Sequence, residues 1–282
     1  MRALAEFIMR GRTQAAAVAL IGHWIPLVSP ATVALVTLRR GLADGALVLL
    51  WALLPALVLL AMGQQNAFLA VTGAVSVWAS SLVLRTSSSW QHTLMGLVAL
   101  NTLGALALLV FWPQLVAEFV AMCKELFEAL QAQAEQPIEL PEPDAAMVLG
   151  LLAAMTALSG ALGLILGRWW QGLLYNPGGF ATEFRALRLR PVASLVCIAA
   201  VVYCYLQPAG VSVWALVFAQ PLLFAGIALV HAMVAKRGLG VQWLVLFYLA
   251  LVLLQPLKIL LVFVAFGDTW LDFRARVKAK SA

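Results

Sequence analysis

The sequence predicts an all-α fold, a polytopic bundle of transmembrane helices with one amphipathic helix outside the membrane. Three observations carry this expectation. Of 282 residues, 64% are hydrophobic and 11% charged, against about 45–50% and about 25% in a soluble chain. One soluble core cannot absorb that excess, so lipid is the expected solvent for most of the side chains. The apolar residues fall into runs near the 20 or so that a helix needs to cross a bilayer. Short segments rich in Arg, Gly and Pro separate the runs, and such segments break helices and set their orientation. The net charge of +6 belongs to the same pattern, because Lys and Arg gather in the cytoplasmic loops of membrane proteins. The bilayer, and not nucleic acid, is the expected partner of that charge.

Residues 1–282 are read as one integral membrane domain. The N-terminal MRALAEFIMRGR lacks a cleavage-site pattern and is read as retained. Segment 14–38 is long enough for one span, which would separate Arg10 and Arg12 from Arg39 and Arg40. Pro26, Ser29 and Pro30 allow a break. A helical hairpin then puts all four arginines and the N-terminus on the cytoplasmic side, and this is the preferred reading. Spans follow at 43–62, 67–84 and 91–112, the last two separated by Arg85 and a Thr-Ser-Ser-Ser turn.

Segment 113–144 holds Leu115, Phe119, Met122, Leu126 and Leu130 at helical spacing, with Glu118, Glu125 and Glu128 between them. This predicts an amphipathic helix followed by a proline-rich connector at Pro137, Pro141 and Pro143. Its acids suit the extracytoplasmic side, away from an anionic inner leaflet. A lid or docking helix and a helix lying on the membrane are both open readings. A span at 145–167 carries Ser159, Gly160, Gly163 and Gly167, small residues that let helices approach closely.

Segment 168–190, RWWQGLLYNPGGFATEFRALRLR, is read as a cytoplasmic loop. Arg168, Trp169 and Trp170 have the composition of a membrane interface. Asn176-Pro177-Gly178-Gly179 is a strong turn signal. Arg185, Arg188 and Arg190 then present positive charge to the membrane or to a protein partner. Further spans are expected at 191–206 and 211–235. The last apolar run, 241–266, is ambiguous. A full crossing would leave the basic tail 267–282, with Arg274, Arg276, Lys278 and Lys280, outside; alternatively the run breaks near Gln255-Pro256 and Lys258 and returns. The expectation is eight crossings plus this ambiguous ninth segment.

Little in the chain points to reaction chemistry. His23, His92 and His231 are isolated, and Cys123, Cys197 and Cys204 lack metal-ligand spacing. No phosphate-binding glycine loop or nucleophile elbow is present. No metal or cofactor is expected, and the chain is not read as an enzyme. Polar residues inside spans are the default functional candidates, because burying them in lipid is unfavourable. These are Asn101, the Gln220-Pro221 and Gln255-Pro256 pairs, and Lys258. They could line a cavity for a small solute, or serve as interhelical hydrogen bonds and proline kinks. Asp268 and Asp272, four apart in GDTWLDFRAR, are placed to pair with Arg185, Arg188 or Arg190.

The stretches VTLRRG, RWWQGLLYNPGGF, GIALVHAMVAKRG and GDTWLDFRAR, spread over nearly the whole chain, resemble the YybS-like family of bacterial inner-membrane proteins. That family is more remotely similar to the S components of energy-coupling-factor vitamin transporters and to the rod-shape protein MreD. The resemblance implies a bacterial inner-membrane location and a helical fold with a scaffolding role or a solute pocket. It carries over no ligand residues. Two functions are therefore expected: a membrane scaffold that docks membrane or cytoplasmic proteins, or a solute-binding transporter subunit.

Overall fold

The centre of the protein is a short helix that the apolar periodicity does not single out. The computed structural model describes residues 1–65, 67–133 and 141–277, and the regular structure among them is helical throughout. Helices α1 (Arg2–Arg10) and α2 (Arg12–Ile21) lead through a 3-10 turn (Gly22–Trp24) to α3 (Val28–Arg40). Every residue of α3 from Ala31 to Leu38 is buried. Its hydroxyls are satisfied locally: Thr32 Oγ1 donates to Val28 O at 2.8 Å and Thr37 Oγ1 to Val33 O at 2.7 Å, so they can sit among apolar side chains.

The two ends of this region meet. Arg12 lies 2.7 Å from one oxygen of Asp44, and Arg40 lies 3.8 Å from the other. The chain between them runs out and returns to the same face. Neither α2 nor α3, at 10 and 13 residues, reaches the about 30 Å of an apolar layer at 1.5 Å per residue.

Longer helices surround α3. These are α4 (Leu42–Ala61), α5 (Ala67–Ser87) and α6 (Trp90–Phe111), then α7 (Pro113–Gln133) and α8 (Ala145–Tyr175). All but α7 are long and apolar enough to cross a membrane. Beyond them lie α9 (Gly179–Arg185) and α10 (Pro191–Tyr205), then the broken series α11 (Ala209–Ser212), α12 (Ala215–Phe218) and α13 (Gln220–Lys236). The chain closes with α14 (Val241–Leu253), α15 (Gln255–Leu271) and α16 (Phe273–Arg276). Two bent pairs, 209–218 with 220–236 at 44° and 241–253 with 255–271 at 113°, raise the four candidate spans to at most six among the described residues. By length and composition this is a helical membrane protein with four to six such spans; the eight crossings read from the sequence count the shorter helices α2, α3 and α10 as well. Both Gln-Pro pairs begin a helix and do not kink one, with Pro221 and Pro256 in the first turns of α13 and α15. There the missing N–H leaves no hydrogen bond unmade.

The small-residue stripe of α8 packs against α3. A Cβ added at Gly167 would lie 2.8 Å from Ala31 O and 3.0 Å from Leu35 N, and one at Gly163 would lie 2.7 Å from Pro30 Cβ. The stripe thus serves an intramolecular contact. A second close approach joins α13 to α15, where a Cβ at Gly226 would meet Leu261 O at 2.7 Å.

One boundary differs from expectation, and one open alternative takes its broken form. Helix α8 does not end at Gly167 but runs on to Tyr175, because nothing in RWWQGLLY breaks a helix before Asn176-Pro177-Gly178. Its 31 residues span about 46 Å, so the last turns project beyond an apolar layer. The ambiguous run 241–266 is interrupted at Leu254 and turns back. Helices α13 and α15 run the same way, since Gly226 abuts Leu261 and Lys236 Nζ donates to Arg274 O at 2.6 Å. Helix α14 therefore leaves the face to which α15 returns. No residue of α14 is buried.

The far end carries α7, which joins the ends of α6 and α8 remote from Arg168. Only Val116 and Phe119 are buried in it, while Met122, Leu126 and Leu130 are exposed. Lys124 is 3.9 Å from Glu142, and Asp144 caps α8 by accepting from Met147 N at 2.7 Å. Pro137, Lys278 and Lys280 lie outside the described residues.

Candidate functional site

The basic face assembles in steps from helix ends. Arg85, at the end of α5, donates to Leu38 O at 2.7 Å, placing a cation on the carbonyl end of α3 where the helix dipole favours it. Arg40 donates to Met9 O at 2.7 Å and ties in α1. Arg168 on α8 holds the Glu183 carboxylate of α9 with Nε 3.2 and 3.1 Å from its two oxygens, and Trp90 Nε1 donates to the same group at 2.6 Å. Arg168 also donates to Gln171. These bonds fold α9 back onto the bundle, with Phe180 stacked on Phe184 at 5.7 Å.

A second cluster fastens the α9–α10 link to the C-terminal helices. Asp268 is buried at the end of α15. Arg274 Nε lies 3.2 Å from Asp268 Oδ2, an ion pair whose angle does not make it a hydrogen bond. Arg188 lies 3.9 Å from Asp268 and 3.4 Å from Asp272. Arg274 also donates to Arg185 O and Leu187 O at 2.6 Å, and Arg188 to Thr269 O at 2.8 Å. Burial pulls the Arg274 guanidinium below its ordinary value, Asp268 acts to raise it and Arg188 to lower it further. An arginine stays charged through such shifts. Asp272 takes a left-handed turn at φ 46° and caps α16 through Ala275 N.

The loop named from the sequence is thus largely internal structure. Arg168 and Arg188 are spent on Glu183, Asp268 and Asp272. Trp170 is wholly buried, and its N–H has no partner among the described residues. Trp169 is half-buried, while Asn176, Arg185 and Arg190 are exposed. Trp170 departs from the interface reading of Arg168-Trp169-Trp170, because the helix carries on and its 3.6-residue period turns that ring inward.

No family model, curated protein or solved structure matches the chain.

The intramembrane polar residues do not converge. Asn101 lines a cavity of about 190 Å³ between α5, α6 and α8, together with Thr72, Ser76 and Thr156. Its amide is already used: Nδ2 donates to Leu97 O at 2.8 Å and Oδ1 accepts from Ser76 at 3.1 Å. Gln220 lines no part of that cavity and donates to Ala154 O at 2.8 Å. Gln255 and Lys258 sit at the tip between α14 and α15, where Lys258 Nζ donates to Gln255 Oε1 at 3.0 Å. Gln255 is exposed and Lys258 half-buried.

Residues that the sequence reading did not single out hold the face together. Glu183 and Trp90 gave no motif, and Arg85 was visible only as the charge that closes a span. The His231–Tyr248 contact, 2.8 Å between Nε2 and the hydroxyl, joins α13 to α14 across a turn whose geometry no spacing encodes. No group of three or more His, Cys, Asp or Glu capable of holding a metal occurs among the described residues.

Proposed function

We propose that the chain is a non-enzymatic scaffold subunit of the bacterial inner membrane that docks a second membrane protein along α14 and the α14–α15 tip. The observation that carries this reading is the tip itself. Helix α14 has no buried residue, and the break beyond it leaves Gln255 and Lys258 open to the surroundings. At 13 residues α14 extends about 20 Å, less than the about 30 Å of hydrocarbon, so the tip lies within the apolar layer. An ammonium there is unfavourable unless it is paired. The partner therefore supplies an acceptor, a carboxylate on one of its own membrane helices. In this topology the N-terminus and the basic face are cytoplasmic. The passes α4, α5, α6, α8, α10 and the broken series α11–α13 join the two faces, and the short α2–α3 and α14–α15 hairpins each enter and leave by the inner face. Every basic helix end then lies inside, as the distribution of Lys and Arg favours. The motifs resembling the YybS-like family fit the same reading.

Photocrosslinking in native membranes tests it. A crosslinker at Leu254 is expected to give one discrete protein adduct that maps to a membrane segment carrying Asp or Glu, and Lys258→Leu is expected to abolish it. The same probe at Leu57, exposed on α4, is expected to give none. A lipid-only product, a self-adduct or equal labelling from Leu57 would reject the scaffold.

A second reading, a solute-binding transporter subunit, rests on the Asn101 cavity. At about 190 Å³ it falls below the roughly 300–1,000 Å³ of most ligand sites, so only a very small solute fits. A metabolite that binds there raises the melting temperature by mass action, and Asn101→Leu removes the shift. A shift that survives Asn101→Leu would place the solute elsewhere.

A further inference from the structure

We propose that the cleft bounded by α8, α9, α13 and α14 binds an anionic phospholipid, its headgroup at Arg185 and one acyl chain lying along α8. The cleft has a volume of about 370 Å³, within the range of small-molecule sites. Its α8 wall is Leu162, Ile165, Trp169 and Leu173, a spacing that keeps one helix face turned inward over about 17 Å. Phe224, Ile227 and His231 form the α13 wall. Both helices run toward the basic face. Leu162 and Phe224 therefore lie deep, while His231 and Arg185 stand at the mouth.

The cleft is thus graded along its length, apolar within the membrane and cationic at the surface, which is the polarity of a lipid. Its mouth holds the Arg185 guanidinium, the His231–Tyr248 pair and no carboxylate. Glu183, the nearest acid in sequence, is held by Arg168 and Trp90 and lines a separate polar cavity with Arg85. The Arg185 side chain is exposed, and none of the ion pairs among the described residues uses it. Leu162, partly exposed on the flank of α8, opens the deep end sideways, so a membrane lipid can enter without leaving the bilayer. This assignment stands apart from the scaffold reading, whose docking surface is the α14–α15 tip.

Native mass spectrometry of the full chain tests it. The protein is exchanged into detergent micelles containing equimolar dioleoyl phosphatidylglycerol and dioleoyl phosphatidylcholine. Retention of the anionic lipid is expected to exceed that of the zwitterionic one by about fivefold, the effect of one basic residue beside a headgroup whose negative charge no choline cancels. Arg185→Gln is expected to bring the ratio to near one with an unchanged melting temperature. Arg190→Gln, an exposed arginine outside the cleft, is expected to leave it unaltered. Ile165→Trp, which fills the groove, is expected to remove both adducts; should that variant not fold, Arg185→Gln decides alone. No preference in the parent protein, or an equal loss in Arg190→Gln, overturns the proposal. Displacement of phosphatidylglycerol by equimolar oleic acid overturns it too, by assigning the cleft to free fatty acid.

Discussion

Gly167→Val leaves no stably folded protein in detergent, and Gly167→Ala lowers its stability by about 1–3 kcal/mol. Two effects of opposite sign meet at this position. Replacing a mid-helix glycine with alanine stabilises a helix by about 1 kcal/mol in an unhindered site. At Gly167 the added methyl would meet Ala31 O at 2.8 Å and Leu35 N at 3.0 Å. These are backbone atoms of a buried helix, which cannot rotate aside as a side chain can. Relief requires α3 and α8 to move apart, and overpacking therefore outweighs propensity. Gly96→Ala on α6, where a Cβ meets nothing within 4 Å, shows the propensity effect alone and is neutral or stabilising. Melting temperatures of the two alanine variants check the comparison. Equal behaviour at both sites would remove α3 from the centre of the fold.

Asp268→Asn is the second large effect, a loss of roughly 3–5 kcal/mol. The amide preserves the shape and can still accept from Phe273 N, now 2.9 Å from Oδ1, so the change isolates the charge. Arg274 and Arg188 are left facing one another with Asp272, half-exposed, as the remaining counter-charge. Arg274 matters most, because its side chain is 17% exposed against 30% for Arg188, and an uncompensated charge is worse the less water reaches it. Asp268→Asn combined with Arg274→Met removes both charges and loses less than the sum of the single changes. A coupling energy of about 0.5–3 kcal/mol is expected for contacting residues. Strict additivity in denaturation or melting would show that the pair contributes nothing as a pair.

Class was legible in the chain because composition and run length report on solvent directly. The helices α4, α5 and α6 follow from uniform apolar runs closed by Gly, Ser or Pro, and the stripe Gly160, Gly163 and Gly167 marked a close contact. The centre of the fold was hidden for a physical reason. Residues 28–40 contain Ser, Thr, Pro and two terminal arginines, so by themselves they resemble a turn and a short helix. Their burial depends on α8, more than a hundred positions later, and no local pattern encodes that meeting. The break at Leu254 was legible only as one of two alternatives, since Gln255-Pro256 marks a helix start but both sides are equally apolar. The polar candidates shared a depth along their own spans. Whether Asn101, Gln220 and Lys258 meet depends on rotation about each helix axis, which spacing within one helix does not fix.

The placement of α3 sets an order of assembly. The helix is synthesised early, yet one of the faces that cover it belongs to a segment completed only at Tyr175. At 5–20 residues per second the ribosome needs on the order of ten seconds to bridge that interval. For that time a short helix bearing Thr32 and Thr37, too short to hold itself across a bilayer, waits without that neighbour. Helices α4 and α5 can cover one side of residues 28–40 in that interval, and the contact at Gly163 and Gly167 is the last to close.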